Sequence, residues 1–314
     1  MKDKKLVIIK YTFEIVLIIV LSFMYYLNKP VYTSKVLYIP SGSISKIITQ
    51  LREKNYSVSK LDALILRIIG RPQSGWIDIG STQITKGDFL YKLTTAKAAL
   101  QSVTLIPGET TYIFLNQLAS NLNLDRSVLE EEFKSQSPIA EGAFIPNTYK
   151  VPKGITEKEL IRLLLLSSVK EMKKLSMKLF GTYNETKWFQ YVAIASIIQK
   201  ESANNEEMPI VSSVIYNRLK KGMKLQMDGS LNYGEYSHLK VTAKRVREDT
   251  STFNTYKYGG VPSIPVCNVS VDAIMAAVFP AKTDYLYFMK SKSGTHDFSC
   301  NYSTHLTNIR RATK

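Results

Sequence analysis

The chain is poor in the residue types that bind metals and form disulfides. Its 314 residues include two cysteines and three histidines. The sequence also lacks a CxxC pair, an HExxH pattern, a GxGxxG fingerprint and a phosphate-binding loop. These absences argue against the common zinc sites and against nucleotide binding. We therefore expect no metal and no cofactor.

The few cysteines and histidines leave some alternatives open. His296, Cys300 and His305 follow one another at intervals that could hold a metal ion, with Cys267 as a fourth ligand. In an exported chain the two cysteines could equally form a disulfide or remain as two buried thiols. A hydrolase that paired either cysteine with a histidine would need a flanking signature, and the sequence has none.

Acidic residues are scarce relative to basic ones. There are 26 Asp and Glu against 42 Lys and Arg, which gives a formal net charge of +16. Such a charge favours polyanionic partners: nucleic acid, an anionic membrane surface or an acidic polymer. Because 45% of the residues are hydrophobic, the chain can bury a sizeable core and form more than one domain.

A long apolar run lies near the N-terminus. It extends from Leu6 to Leu27 behind a lysine-rich tip, and it is about long enough to cross a bilayer as a helix. The basic flank favours the cytoplasmic side, and no small-x-small cleavage site follows, so we predict an uncleaved signal-anchor. A buried core helix is the alternative. With an anchor the rest of the chain lies outside the cytoplasm, which removes nucleic acid from the partners and leaves cell-wall polymer and anionic lipid.

Short strands and helices alternate after this run. Lys35 to Pro40 is predicted as a short strand that leads to a helix capped by Ser43. The run from Val36 to Pro40 is echoed 67 residues later by Val103 to Pro107, with Thr110 as the cap. The pattern predicts an α+β fold. Further elements are predicted as helices at 60–69, 84–93, 121–133, 155–180 and 271–278, and as strands at 76–79 and 285–289.

The stretch from Trp188 to Leu219 is the most informative part of the chain. Tyr191, Ile194 and Ile198 recur at helical spacing, and the next position in that apolar stripe is Glu201. A carboxyl among apolar neighbours resists ionisation and can donate a proton near neutral pH. The alternative is a glutamate at the helix end that simply extends into solvent.

A second helix follows after a short polar link. Asn204 or Asn205 is predicted to cap it, with Glu206, Glu207 and Pro209 in its first turn. Two helices joined so closely must fold back or form a corner. Glu201 is therefore expected at the joint, where it would line a cleft.

The next stretch supplies candidate ligand-binding residues. Met223 to Tyr233 alternates polar and apolar side chains, which predicts a strand whose Gln226 and Asp228 point the same way. An exposed edge strand would give the same pattern. The aromatic loop Ser251 to Tyr258 combines rings and amides, which suit sugar or peptide. The candidate substrate-binding residues are Gln226, Asp228, Ser230, Tyr233, Asn254 and Tyr256.

Several separate motifs follow one another in the second half of the chain: residues 195–201 (ASIIQKE), 214–219 (VIYNRL), 222–228 (GMKLQMD), 254–256 (NTY) and 280–288 (PAKTDYLYF). These motifs, in this order, resemble the MltG (YceG-like) endolytic murein transglycosylase family. Residues 141–149 (EGAFIPNTY) and the layout of the N-terminal part extend the resemblance over nearly the whole chain. Glu201 falls on the family's catalytic glutamate.

The resemblance implies an anchored enzyme with four segments. These are a cytoplasmic tip and transmembrane helix (1–30), a LysM-like small α+β subdomain (31–100), a linking α+β region (101–185) and a mixed α+β catalytic domain (186–314). The implied location is the bacterial cytoplasmic (inner) membrane, single-pass, with the catalytic domain extracytoplasmic or periplasmic.

The implied reaction is non-hydrolytic cleavage of the β-1,4 bond between N-acetylmuramic acid and N-acetylglucosamine, which leaves 1,6-anhydro ends. Peptidoglycan glycan strands are the implied substrate, and peptidoglycan synthases are candidate partners. Two other functions stay open from the residues: a two-carboxylate muramidase with Asp228 as base, and a non-catalytic, membrane-anchored peptidoglycan-binding protein.

Overall fold

A computed structural model describes residues 2–313 of the chain. The chain folds into two compact units. Unit 1 consists of residues 1–101 and 150–154, and unit 2 of residues 102–149 and 155–314. Both units mix helices with short strands, so the predicted α+β class is confirmed, whereas the likeness of unit 1 to LysM stays a prediction.

Unit 1 begins with a long, exposed helix. This helix, α1 (Lys2–Leu27), contains the one span among residues 2–313 that is long and apolar enough to cross a membrane, Lys5–Leu27, with a mean hydropathy of 2.3. None of the 18-residue apolar stretch within that span is buried inside the protein, whereas Tyr26 and Leu27 at its end are partly buried. The alternative of a buried core helix is therefore wrong for this segment.

The rest of unit 1 packs helices on two small antiparallel sheets. Strand β1 pairs with β4, and β2 pairs with β3. Its core consists of apolar side chains from both sheets and from three helices, among them Ile39, Leu51, Leu66 and Leu90. The elements are β1 (Pro30–Tyr32), β2 (Val36–Ile39), α2 (Ile44–Glu53), α3 (Lys60–Ile69), β3 (Gly75–Asp78), β4 (Gln83–Thr85) and α4 (Lys86–Thr95).

Unit 2 is mostly helical. Strands β5 (Leu100–Thr104) and β6 (Thr148–Pro152) pair with one another, and β7 (Tyr287–Lys290) pairs with β8 (His296–Ser299) in an antiparallel hairpin. The other elements are α5 (Thr111–Leu122), α6 (Arg126–Gln136), α7 (Glu157–Phe180), α8 (Glu185–Glu201), α9 (Met208–Lys220), α10 (Ala243–Glu248), α11 (Val271–Val278) and α12 (Tyr302–Thr313).

The core of unit 2 forms around α8. Trp188, Val192, Ala195 and Ile198 are at most 1% exposed, and they pack with apolar residues of α9 and α11. The helix is buried on more sides than its predicted stripe, because Ala193, Ser196 and Ile197 are also buried. A helix held this firmly fixes the position of its last residue, which is Glu201.

The first copy of the strand-to-helix pattern is confirmed by β2 and α2; in the second copy the helix α5 is confirmed, but the strand lies at Leu100–Thr104 and not at Val103 to Pro107. The side chain of Ser43 accepts a hydrogen bond from the backbone of α2, and that of Thr110 accepts one from the backbone of α5. The predicted helix over 121–133 corresponds to α6 but begins too early, because residues 121 and 122 belong to α5 and α6 starts at Arg126. Asn123 adopts a left-handed conformation that ends α5, and Asp125 caps α6.

The predicted strand over Met223 to Tyr233 is also wrong. Residues 223–227 form no strand, and Asp228–Leu231 is a short 3-10 helix. Gln226 adopts φ +47°, which interrupts the regular alternation of a strand. The alternating polarity reflects a loop that buries Leu225 and Met227 in the core of unit 2.

Candidate active site

Glu201 occupies the exposed end of the buried helix α8. The chain leaves the helix at Ser202, whose backbone is extended. The Glu201 side chain is partly buried, and its Oε1 accepts a hydrogen bond of 2.6 Å from the backbone N–H of Gly229. The alternative of a side chain extended freely into solvent is therefore wrong.

The surroundings of Glu201 favour its protonated form. Burial raises the pKa of this carboxyl from 4.5 to about 7, and the negative charge of Asp228 acts in the same direction, whereas the Gly229 N–H and the cation of Arg218 oppose the shift. A carboxyl with this pKa is protonated in about half of the molecules at neutral pH. It can both give and take a proton there.

Gly229 allows the loop to approach the end of α8 closely. A Cβ at this position would lie 2.6 Å from the Cβ of Lys200 and 2.8 Å from Oε1 of Glu201, and neither contact is possible without a shift. The absence of a side chain at Gly229 therefore lets its backbone N–H reach the Glu201 carboxyl. Sequence reasoning missed this residue, although a glycine between polar residues in an apparent strand signals close backbone approach.

Arg218 provides a buried positive charge near Glu201. Its guanidinium donates to the backbone carbonyls of Leu286, at 2.6 Å, and of Leu225. The cation is thus held by neutral carbonyls and acts on Glu201 through space. Burial lowers the pKa of Arg218, whereas the charge of Glu201 raises it. Sequence reasoning missed this residue too, because its partners are distant in the chain.

Asp228 and Tyr256 form a hydrogen-bonded pair beside Glu201. The Tyr256 hydroxyl donates to Oδ1 of Asp228 at 2.7 Å. Burial raises the pKa of Tyr256, and the hydrogen bond and charge of Asp228 act in the same direction, so the phenol stays protonated. Asp228 is exposed and Tyr256 is partly exposed, so both can meet a ligand.

The other predicted binding residues fall into two groups. Gln226 is exposed and Tyr233 is partly exposed, and the Tyr233 ring stacks on Phe253 at 4.5 Å. Ser230 and Asn254 are fully buried. The Ser230 hydroxyl donates to the carbonyl of Met227, and the Asn254 amide donates to the carbonyls of Val246 in α10 and of Asp249 directly after it. These two side chains hold the loops in place and have no surface of their own for a ligand.

Hydrogen bonds hold the link between α8 and α9, and one of them comes from the distant His296. The helix α9 begins at Met208 with Glu207 at its cap position, so the prediction that Asn204 or Asn205 caps it is wrong. Asn204 instead accepts the N–H of Glu207 within the turn. The Glu207 carboxylate accepts from the Ala203 N–H at 3.2 Å and bonds to Nδ1 of His296 at 2.7 Å. Although burial opposes it, these hydrogen bonds hold the pKa of Glu207 below its ordinary value.

The cysteines and histidines considered as metal ligands have separate places. His296 is bonded to Glu207, and His305 stacks on Tyr287 at 5.3 Å. Cys267 is buried and Cys300 is exposed, and both are free thiols. Within the described residues no three potential ligands come together. The metal-site alternative and the disulfide alternative are not supported, and only one of the two thiols is buried.

A second carboxyl of unit 2 also has a raised pKa. Glu141 is buried, and its oxygens accept hydrogen bonds from the backbone N–H groups of Thr111 and Gly142 and from the Thr111 hydroxyl at 2.7 Å. Burial raises its pKa to about 7 against the effect of these donors. It borders an apolar pocket of about 330 Å³ between α5 and α6, which Glu201 does not line. Glu141 organises the backbone, whereas Glu201 is open to a ligand.

Replacing Glu141 with Gln is expected to lower the free energy of unfolding by about 2 kcal/mol, because an amide nitrogen would face backbone donors. The pH dependence should change as well. The folded state binds the Glu141 proton more tightly than the unfolded state, so stability falls as pH rises from 4.5 to about 7. Urea unfolding across this range should give a smaller decline for Glu141→Gln than for the unaltered chain. An equal decline would contradict the raised pKa.

Asp228→Asn is expected to move the alkaline limb of the pH–rate profile to lower pH. Removing the negative charge that raises the pKa of Glu201 lets that carboxyl ionise sooner, so its acid form is lost at lower pH. Measuring kcat/KM on glycan strands between pH 5 and 9 would reveal the shift. If activity were abolished at every pH, Asp228 would be a second catalytic group and the muramidase alternative would gain support.

The geometry defines a site with one protonatable carboxyl, of the general-acid class, at a helix end on an α+β unit. Residues 37–311 match the model of the YceG-like family. The chain belongs to the YceG-like family.

Individual relatives agree with this placement. The endolytic murein transglycosylase of Bacillus subtilis (strain 168) is 28% identical over 303 residues, which cover 85% of this chain and 81% of that protein. The endolytic murein transglycosylase of Streptococcus pneumoniae serotype 2 (strain D39 / NCTC 7466) is 30% identical over 178 residues, 54% of this chain and 31% of that protein. A crystal structure of a yceG-like protein of Listeria monocytogenes has the same fold, with a TM-score of 0.56 at 24% identity over 89% of this chain and 99% of that one.

Proposed function

We propose that this chain is an endolytic lytic transglycosylase of nascent peptidoglycan. It cleaves the β-1,4 bond between N-acetylmuramic acid and N-acetylglucosamine, leaves 1,6-anhydro ends and thereby terminates glycan strand elongation. The observation that carries the proposal is the placement of Glu201: its partly exposed carboxyl lies at the end of α8 and accepts the Gly229 N–H at 2.6 Å, where burial raises its pKa to about 7. Membership of the YceG-like family and the names of the relatives support it.

In the proposed mechanism Glu201 acts twice. As an acid it protonates the glycosidic oxygen while the bond to the muramyl C1 breaks, and the acetamido group of the sugar assists from the opposite face. As a carboxylate it then takes the proton from the C6 hydroxyl, which attacks C1 and closes the 1,6-anhydro ring. A pKa close to the working pH suits a group that must give and then take a proton. The N–H of Gly229 steadies the carboxylate between the two steps.

The accessible polar groups beside Glu201 are proposed to orient the muramyl unit. Asp228 and Tyr256 are held together by their hydrogen bond, and Gln226 and Tyr233 expose polar or aromatic surface nearby in sequence. Ser230 and Asn254 contribute by keeping their loops in shape. The net charge of +16 suits the carboxylates of the stem peptides.

The chain is proposed to work from the outer side of the bacterial cytoplasmic (inner) membrane. Its helix α1 has the length and apolarity of a single span, and the lysines before it favour a cytoplasmic N-terminus. The catalytic unit then lies in the extracytoplasmic or periplasmic space, beside the membrane-bound enzymes that polymerise glycan. Peptidoglycan synthases are the partners that this location suggests.

Product masses test the reaction. The full chain in detergent is incubated with purified sacculi, and the released muropeptides are analysed by mass spectrometry. A transglycosylase leaves new ends that lack the mass of one water relative to the products of a muramidase. Hydrated ends would overturn the proposal and favour the two-carboxylate alternative. If sacculi bind the chain but release nothing at all, the protein is the non-catalytic binding module.

A further inference from the structure

The helix α3 of unit 1 has two apolar faces, and one of them is uncovered. Ala63 and Leu66 pack in the core of unit 1. On the opposite side Leu61, Leu64 and Ile68 are 42%, 52% and 86% exposed. Their spacing of three and four residues places them in one row along the helix. We call these three residues the α3 stripe.

Basic residues border the α3 stripe. Lys60 and Arg67 are seven positions apart and lie together on one flank of the stripe, and Arg71 follows the helix end. All three are exposed. An apolar row bordered by cations is the pattern of a helix that lies in the interface of an anionic membrane.

The end of α1 is bound directly to α3. The Tyr26 hydroxyl donates to Oδ1 of Asp62 at 2.8 Å and lies 2.8 Å from Oγ of Ser59 at the start of α3. Asp62 is also paired with Lys86 of α4 at 3.3 Å, and both side chains are at most 4% exposed. The backbone N–H of Lys86 donates to the carbonyl of Lys29, just beyond α1.

These contacts join the end of α1 directly to the rest of unit 1, with no free linker between them. Tyr26 lies in the last turn of α1, where a tyrosine would meet the membrane surface. The residue that it bonds to is part of α3. The helix α3 is therefore held at the level where α1 leaves the bilayer.

We infer that the α3 stripe inserts into the interfacial layer of the anionic bilayer that holds α1, with Lys60, Arg67 and Arg71 on the lipid headgroups. This inference rests on the proposed membrane anchor. It assigns unit 1 a lipid-binding surface that keeps it flat against the membrane. A second copy of this chain or another protein on the stripe would be a different occupant.

Depth-dependent quenching in vesicles tests the inference on the full chain. In a Cys300→Ser background, in which the remaining Cys267 is buried, single cysteines replace Leu64, Ile68, Ile18 or Glu53 and carry an environment-sensitive fluorophore. Ile18 reports on α1, and Glu53 is an exposed control on α2. The vesicles contain phosphatidylglycerol and phosphatidylethanolamine, with spin-labelled lipids whose quencher lies near the headgroup or near the chain end.

The fluorophores at positions 64 and 68 are expected to be quenched more by the shallow spin label than by the deep one. The fluorophore at position 18 is expected to be quenched more by the deep spin label. The label at 53 should lose little fluorescence with either. If the labels at positions 64 and 68 were quenched as little as the label at 53 while the label at 18 was quenched, the inference would be overturned but the membrane anchor would stand. Blue-shifted emission at 64 and 68 without lipid quenching would mean that protein covers the stripe, which also overturns it. An unquenched label at 18 would overturn the anchor and the inference together.

The lipid charge provides a second readout. In vesicles of phosphatidylcholine alone, quenching at positions 64 and 68 should fall while that at 18 stays unchanged, because the cations lose their anionic headgroups. Equal quenching in both lipids would contradict the role of Lys60, Arg67 and Arg71.

Discussion

Glu201→Gln is expected to lower glycan cleavage by at least about 10³-fold, because the amide can neither donate the proton that the leaving oxygen needs nor take one from the C6 hydroxyl. The fold should persist. The side-chain oxygen of Gln can still accept the Gly229 N–H, and the variant no longer places an ionisable group in poor solvent.

A matched control separates this role from a general effect of charge. Glu206 lies in the link that follows Glu201 and is exposed. Glu206→Gln should therefore cleave glycan at nearly the unaltered rate. The measurement is the release of muropeptides from sacculi per enzyme, together with circular dichroism to verify the fold. Activity of Glu201→Gln close to that of Glu206→Gln would remove Glu201 from the mechanism.

Gly229→Ala is expected to lower cleavage by about 10²-fold and to reduce stability. The new methyl group would lie 2.8 Å from Oε1 of Glu201 and 2.6 Å from the Cβ of Lys200, so the carboxyl or the loop must move. Displacing a catalytic group by about 1 Å can cost this much rate. Overpacking of this kind reduces the free energy of unfolding by about 1–3 kcal/mol.

Gly259→Ala is the matched control for that substitution. Gly259 has no heavy atom within 4 Å of its would-be Cβ, and its φ is not in the left-handed region. This variant should keep both activity and stability. If Gly229→Ala retained full activity, the close approach of the loop to Glu201 would not matter for catalysis. For Gly229→Ala, a lower kcat with little change in KM would indicate that the Glu201 acid is displaced, and not that substrate binding is lost.

The position of Glu201 could be predicted because it depends on local periodicity. An acid in the next place of an apolar helical stripe marks a site where function overrides packing. The helix α8 ends at that residue, as the polar run after it indicates. The cap of α9 could not be identified in the same way, because Glu207 is held by His296, which lies 89 residues later in the chain.

The partners of Glu201 could not be derived from local pattern. Gly229 and Arg218 act through contacts across the unit, and no periodicity reports them. The stretch around Gln226 was predicted as a strand because a loop that buries every second residue has the same alternation as an edge strand. The burial of Ser230 and Asn254 could not be predicted for a similar reason. In a sequence, a polar side chain that bonds to backbone carbonyls looks the same as one that binds a ligand.

The proposed mechanism requires that the Glu201 carboxyl be protonated near neutral pH, and its protonation can be measured directly. Carbon NMR of protein labelled at the glutamate side-chain carboxyl, titrated from pH 4 to 9, should contain a resonance that changes near pH 7 and is absent from the spectrum of Glu201→Gln. Glu141 titrates in the same range, so the comparison with the variant is what assigns the signal. If the resonance that disappears in Glu201→Gln instead titrates near 4.5, the ordinary value for glutamate, Glu201 is ionised at neutral pH and cannot be the acid that cleaves the glycan.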